Sequence, residues 1–271
     1  MLGKLIKHEF DATWRVPVAL EAVLIVLGIM GAITLGNIPS VDDSVGVSII
    51  MFLLTAIYYV GIIAANIVTM VYLVMRYYRN LYTSQGYLTF TLPVRTDQII
   101  TAKVVTGWVW MLLCFICTIL SVMIAAIGII SQIQIPVEDF QQIMTEFMQG
   151  SYIFTPQFSL TILLTIIVSA LASVLLLYFC ITVGQLWAKH KILGAVICYV
   201  VLYVVNQVVS TITFFTSGFF TLATQSGTEF DGTLSKMYAD TLLHLCIVVL
   251  VEAVIFYAAC LVITKKQVNL D

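Results

Sequence analysis

Charge is what this sequence has least of. Only 10% of its 271 residues are Asp, Glu, Lys or Arg, against about 25% in an ordinary soluble domain. With 61% hydrophobic residues and a mean hydropathy of +1.08, that shortage excludes a single soluble core, because the apolar surplus is too large to bury. A net charge of −2, with no basic arm or acidic tail, gives no reason to expect nucleic acid. Catalytic motifs are missing too. There is no G-x-x-x-x-G-K-[ST] loop, no H-E-x-x-H, no G-x-S-x-G and no paired-carboxylate motif, so the chain carries no nucleotide-binding loop and is not read as an enzyme. Three scattered histidines (His8, His190, His244) are poor material for a metal centre. The six cysteines all lie inside apolar stretches, where a secreted disulfide framework would not put them. Cys114 and Cys117 can share a helix face, but without His or carboxylate neighbours they read as small packing residues.

Long apolar runs are what it does have. A helix needs about 20 mostly apolar residues to cross the hydrocarbon. Six stretches qualify: 16–36, 47–75, 99–131, 159–188, 192–223 and 241–264. Several run near 30 residues, roughly 45 Å, and must tilt, kink or project. The expected fold is an all-α integral membrane protein, a single transmembrane domain over 1–271. The first run is too long for the apolar core of a signal peptide, and five more follow, so it is expected to be retained.

Basic residues orient the spans. With six of them, the N-terminus, the 76–103 connection, the 189–191 turn and the C-terminus share one side. That side holds eleven of the twelve Lys and Arg residues, and Lys236 alone lies opposite. Both termini are therefore expected in the cytoplasm of a multi-pass membrane protein, with outer loops at 132–158 and 224–240. In the first outer loop, Val137, Phe140, Met144, Phe147 and Met148 predict a short surface helix. A Thr216–Gly218 break is expected to end the fifth helix early, with a partly re-entrant return after it.

Residues 1–15 place Leu2, Leu5, Ile6 and Phe10 at helical spacing opposite Lys4, Lys7 and Asp11, with Trp14 following. This predicts an amphipathic interfacial helix lying on membrane lipid and feeding the first span through Pro17, or else a plain basic anchor. The cytoplasmic 76–98 segment opens on a basic, aromatic helical turn: Arg76, Tyr77, Tyr78, Arg79. Gly86 offers a break, and Tyr87–Leu92 is apolar but too short to span. Pro93 stops it, and Thr96 or Asp97 can cap the next helix. An apolar cytoplasmic segment must be covered by the membrane, by the chain's own helices or by a partner.

Ionisable groups inside spans are functional candidates by default. Glu252 lies near the middle of the sixth span and reads either as a proton- or substrate-contacting carboxylate or as a neutral packing residue. Glu21, in the first span, is near enough to the inner surface to snorkel. Asn66 and Asn206 read as interhelical hydrogen-bond glue.

The run Gly86-Tyr87-Leu88-Thr89-Phe90-Thr91-Leu92-Pro93-Val94 between spans two and three resembles the membrane subunit of bacterial type-2 ABC exporters. Lys7-His8-Glu9-Phe10 followed by Arg15 is similar to that family's cytoplasmic start, and the six-span layout covers the whole chain. The chain differs in having Ser84-Gln85 where relatives often carry acidic residues, and in placing its longest outer loop between spans three and four. The resemblance implies a cytoplasmic coupling helix within 76–92 that docks on a separate ATP-binding-cassette ATPase, where ATP and Mg would bind. It implies a second permease chain, like or unlike the first, and a bacterial cell membrane. The coupling residues it implies are Arg76, Tyr78, Arg79, Gly86, Tyr87, Leu88, Phe90, Leu92 and Pro93. The cargo compatible with such aromatic, Met-rich spans is an amphipathic peptide, drug or lipid. A proton-coupled secondary transporter using Glu252 and a non-transporting scaffold are the alternatives.

Overall fold

A computed structural model describes residues 2–37, 45–83, 86, 94–132, 156–187, 190–224 and 233–267. These form seven helices: α1 (Leu2–Thr13), α2 (Arg15–Leu35), α3 (Val45–Tyr82), α4 (Thr96–Gln132), α5 (Pro156–Gly184), α6 (Lys191–Thr224) and α7 (Thr233–Gln267). There is no strand among the described residues. Six of the helices, α2 to α7, are long and apolar enough to cross a membrane. Their outward faces are apolar as well. Phe52 on α3, Ile192 on α6 and Phe215 on α6 are 73%, 72% and 68% exposed, a surface that only lipid or another apolar partner can solvate. The chain is a helical multi-pass membrane protein.

Helix ends differ from the sequence expectation in informative ways. The second span does not stop at residue 75, since α3 runs unbroken through Arg76–Tyr82. At 38 residues α3 is about 57 Å long, well beyond a hydrocarbon core of about 30 Å. The basic, aromatic turn is therefore an overhang of the same helix. Helix α6 passes straight through Thr216–Gly218 to Thr224, so the expected early end is not found; one glycine costs too little to stop a long helix in an apolar setting. Helix α4 begins at Thr96, which places Thr96 and Asp97 within its first turn rather than before it. The expected surface helix in 132–158 lies almost wholly outside the described residues, as do 225–232 of the last loop.

By its internal contacts the chain divides into two compact units, Met1–Arg76 with Thr101–Ile135, and Tyr77–Ile100 with Pro136–Asp271. Helices α3 and α4 each change unit near the end that bears the 83–95 connection.

In the first unit α2 and α4 approach until backbone meets backbone. A Cβ built on Gly28 would stand 2.8 Å from Ser121 Cα, and one on Gly128 would overlap the Ala32 carbonyl. Gly28 and Ala32 on α2, and Gly36 at its C-cap, recur every four residues and face Ser121 and Gly128 on α4. That is the small-residue pairing by which helices pack closely where lipid removes the hydrophobic drive. In the second unit α5 packs along α7 and α6. The α5–α6 hairpin closes through Gln185 N–H to Ile181 O (3.1 Å) and Trp187 N–H to Gly184 O (3.2 Å). It is tight because Gly184 lies where a Cβ would be 2.7 Å from the Ala195 nitrogen.

Candidate functional site

The side chains that carry chemistry gather at the two roots of the α3–α4 connection and at one polar layer inside the first unit.

The first root is built on Pro17. Lacking an N–H, it leaves the Thr13 carbonyl without its intrahelical donor. The chain nonetheless stays helical from α1 into α2, with Trp14 N–H on Phe10 O (3.0 Å) and Val18 N–H on Trp14 O (3.1 Å). Helix α3 covers the junction. Tyr72 Oη donates to Thr13 O at 3.3 Å, and Arg76 Nη1 donates to Ala12 O at 2.9 Å. Glu9 then ties three helices together. Its Oε1 accepts from Lys103 Nζ of α4 at 2.5 Å, and its Oε2 lies 3.6 Å from Arg76 Nη2. Phe10 sets its ring against Trp110 of α4, centroids 5.8 Å apart.

The amphipathic reading of residues 1–15 is thus consistent with the burial: Leu2, Leu5, Ile6 and Phe10 are half-buried while Lys4, Lys7 and Asp11 are exposed. Two of the basic residues also make internal contacts. Lys103, taken as a topogenic surface charge, is 6% exposed and committed to Glu9. Arg76, taken as a docking residue, turns its guanidinium onto α1. Glu9 was missed as a site residue. The signal was its place on the Leu2–Leu5–Ile6–Phe10–Thr13 face, where a carboxylate demands a buried cation.

The second root is aromatic. Tyr77 is 1% exposed and stacks on Tyr178 of α5, centroids 3.9 Å apart and planes 8° from parallel. Thr182 Oγ1 accepts from Tyr82 Oη at 3.1 Å, lies 3.4 Å from Tyr77 Oη, and itself donates to Tyr178 O at 2.7 Å. On the other strand of the connection, Asp97 Oδ1 pairs with Lys265 Nζ of α7 at 2.8 Å. Thr182→Val should therefore destabilise by about 1–3 kcal/mol, because two buried phenols lose their shared partner. Thermal unfolding of the detergent-solubilised chain measures it, and a loss no larger than that of an exposed Thr211→Val control would refute the knot.

Of the remaining coupling candidates, Tyr78 is half-buried 6.4 Å from the Tyr82 ring, and Arg79 is exposed. Gly86 is buried, its N–H on Thr83 O at 2.7 Å. The helix has already ended at Tyr82, before the glycine expected to break it. Tyr87, Leu88, Phe90, Leu92 and Pro93 lie outside the described residues.

The polar layer lies between α2, α3 and α4. Asn66 Nδ2 donates to Thr118 Oγ1 at 3.1 Å, and Asn66 Oδ1 accepts from Cys114 Sγ at 3.5 Å. This joins α3 to α4 in the manner expected of an intramembrane amide. Glu21 is half-buried. It lies on the packed face of α2 with Pro17, Leu24 and Gly28, and its Oε1 is buried without a hydrogen-bond partner among the described residues. The 3.6-residue repeat places Glu21 one turn from Leu24, which is fully buried. Asn206 and Glu252 are half-buried on α6 and α7. No group of three or more metal-ligating side chains occurs among the described residues.

No protein-family model, no curated protein and no solved structure matches this chain.

Proposed function

We propose that the chain is the membrane-spanning half-unit of an ATP-driven exporter of the type-2 ABC kind, working in a bacterial plasma membrane with both termini in the cytoplasm. It would form the translocation path with a second permease chain and take its energy from a separate ATPase, which would hold the ATP and Mg. The observation that carries this reading is the rooting of the α3–α4 connection. Its ends are fixed to three other helices, through Arg76 and Lys103 to Glu9 of α1, through Tyr77 and Tyr82 to α5, and through Asp97 to α7. A load applied to a docked Tyr87–Leu92 segment would then reach packed helices rather than dissipate in a loose loop. That is what a coupling element requires, and a connection serving only topology would need none of it.

The apolar Tyr87–Leu92 segment supplies the docking surface in this reading, with Arg79, which is exposed, preceding it in sequence. An amphipathic or lipophilic cargo suits the aromatic, Met-rich spans. The test is co-purification of the tagged full chain with an ATPase from its own membrane, followed by ATP hydrolysis and export in proteoliposomes. Leu88→Asp with Phe90→Asp is expected to keep the chain in the membrane and abolish cargo-stimulated hydrolysis. A chain that purifies without an ATPase and transports without ATP would sink the proposal.

A further inference from the structure

We propose that Glu21 is a membrane-embedded proton-binding site of the first unit, a place the sequence offered more readily to Glu252. The geometry sets the two acids apart. Glu21 is on the face of α2 that Gly28 and Gly31 draw against the neighbouring helices, in register with the Leu24–Ala65–Cys114 cluster. Its Oε1 is buried and meets no donor among the described residues.

Among the described residues, the side chains placed around the site are neutral or thiols. From α4 the titratable groups within its electrostatic reach are Cys114 and Cys117. From α3 the adjoining layer offers Ala65, Asn66 and Thr69, none of them charged. The Asn66 carbonyl oxygen already accepts from Cys114 and Thr118, so it is not open to a guest. The charged cluster of Glu9, Arg76 and Lys103 lies about 15 Å away along both α3 and α4, ten residues from Asn66 and eleven from Cys114.

A bare carboxylate in such a place has neither a counter-charge nor enough donors to replace its water. A metal cation would need several oxygen ligands, and one acid with two thiols does not make that cage. A proton needs only the one orphaned oxygen. The site is also within reach of water, since Glu21 stands six residues, about 9 Å by helical rise, from Arg15 at the start of α2. A proton can therefore be gained and lost without unfolding the unit. This inference is independent of the ATPase reading, because it concerns one carboxyl and not the energy source.

Infrared difference spectroscopy on the full chain in nanodiscs tests it, in a Glu252→Gln background so that Glu21 is the remaining glutamate within a span. At neutral pH the carbonyl band of a protonated carboxyl is expected. It should disappear on raising the pH while the helical amide bands hold, and it should be absent throughout in the further Glu21→Gln variant. A carboxylate band at neutral pH would overturn the proposal. So would an acid band that stays unmoved into strong alkali, which marks a fixed packing residue rather than a site. Should Glu21→Gln fail to fold, a hydrophobic carbodiimide reads the same carboxyl in the unaltered chain. It adds to a protonated acid as an N-acylurea, with no atom lost. The adduct is expected on the Glu21 peptide, and its absence there would overturn the proposal equally.

Discussion

Gly128→Val should leave little chain that is folded and monodisperse after extraction, and even Gly128→Ala should lower the unfolding temperature clearly. A Cβ at this position overlaps the Ala32 carbonyl of α2, which is backbone and cannot rotate away. Overpacking a well-packed core costs about 1–3 kcal/mol where side chains can yield, so the upper end or beyond is expected where they cannot. Gly28→Val meets the same obstacle at Ser121, with its Cα at 2.8 Å and its carbonyl oxygen at 2.9 Å. Gly46→Ala provides the contrast, because nothing lies within 4 Å of a Cβ there. That change should be neutral or slightly favourable, helix propensity favouring Ala over Gly by about 0.8–1 kcal/mol in a helix interior and by less near an end. The measurement is fluorescence-detected size exclusion across a heating series. Equal midpoints for Gly128→Ala and Gly46→Ala would show that α2 and α4 do not meet through bare backbone.

Some of this is legible in the sequence and some is not, for physical reasons. Span number follows from composition, which acts through a solvent everywhere the same, so counting apolar residues found all six long helices. The residues at which α3 ends are set differently. Arg76–Tyr82 stays helical because its inward face is satisfied by tertiary partners: Arg76 on the Ala12 carbonyl, Tyr77 on Tyr178, Tyr82 on Thr182. None of these is near in sequence, and a single-sequence reading sees only that the run has become polar. The same limit hid the pairing of Glu9 with Lys103 across 94 residues. Counting Lys103 among surface charges treated it as solvated, whereas the structure spends it inside. Glu21 illustrates the converse. Its position near one end of a span was legible, but which side of α2 is packed depends on the glycine spacing against α4, and no local pattern around Glu21 carries that.

Glu9→Gln should be the most damaging single change outside the glycine seam. Breaking a buried ion pair by removing one partner costs about 3–5 kcal/mol, because the other charge stays behind without compensation. Lys103 fits that case, with its side chain 5% exposed and its ammonium 2.5 Å from Glu9. Since Glu9 itself is 22% exposed, water can relieve part of the loss, and about 3 kcal/mol is the expected figure. Arg76 loses less, being 3.6 Å from the carboxylate and bonded also to the Ala12 carbonyl. Lys103→Met should be milder than Glu9→Gln, since Glu9 keeps Arg76 and the methionine fills the apolar path of the lysine stem. The decisive comparison is the double variant, Glu9→Gln with Lys103→Met. It removes the stranded ammonium along with its partner and should be more stable than Glu9→Gln alone, with a coupling energy of opposite sign to the single losses. Strict additivity of the two changes would mean that the pair contributes nothing. A clear rescue would show that α1 is held to α4 by charge as well as by Phe10 on Trp110. The N-terminal helix would then move only when Lys103 moves, giving the proposed coupling path a mechanical element that reaches from α4 back to the start of α2.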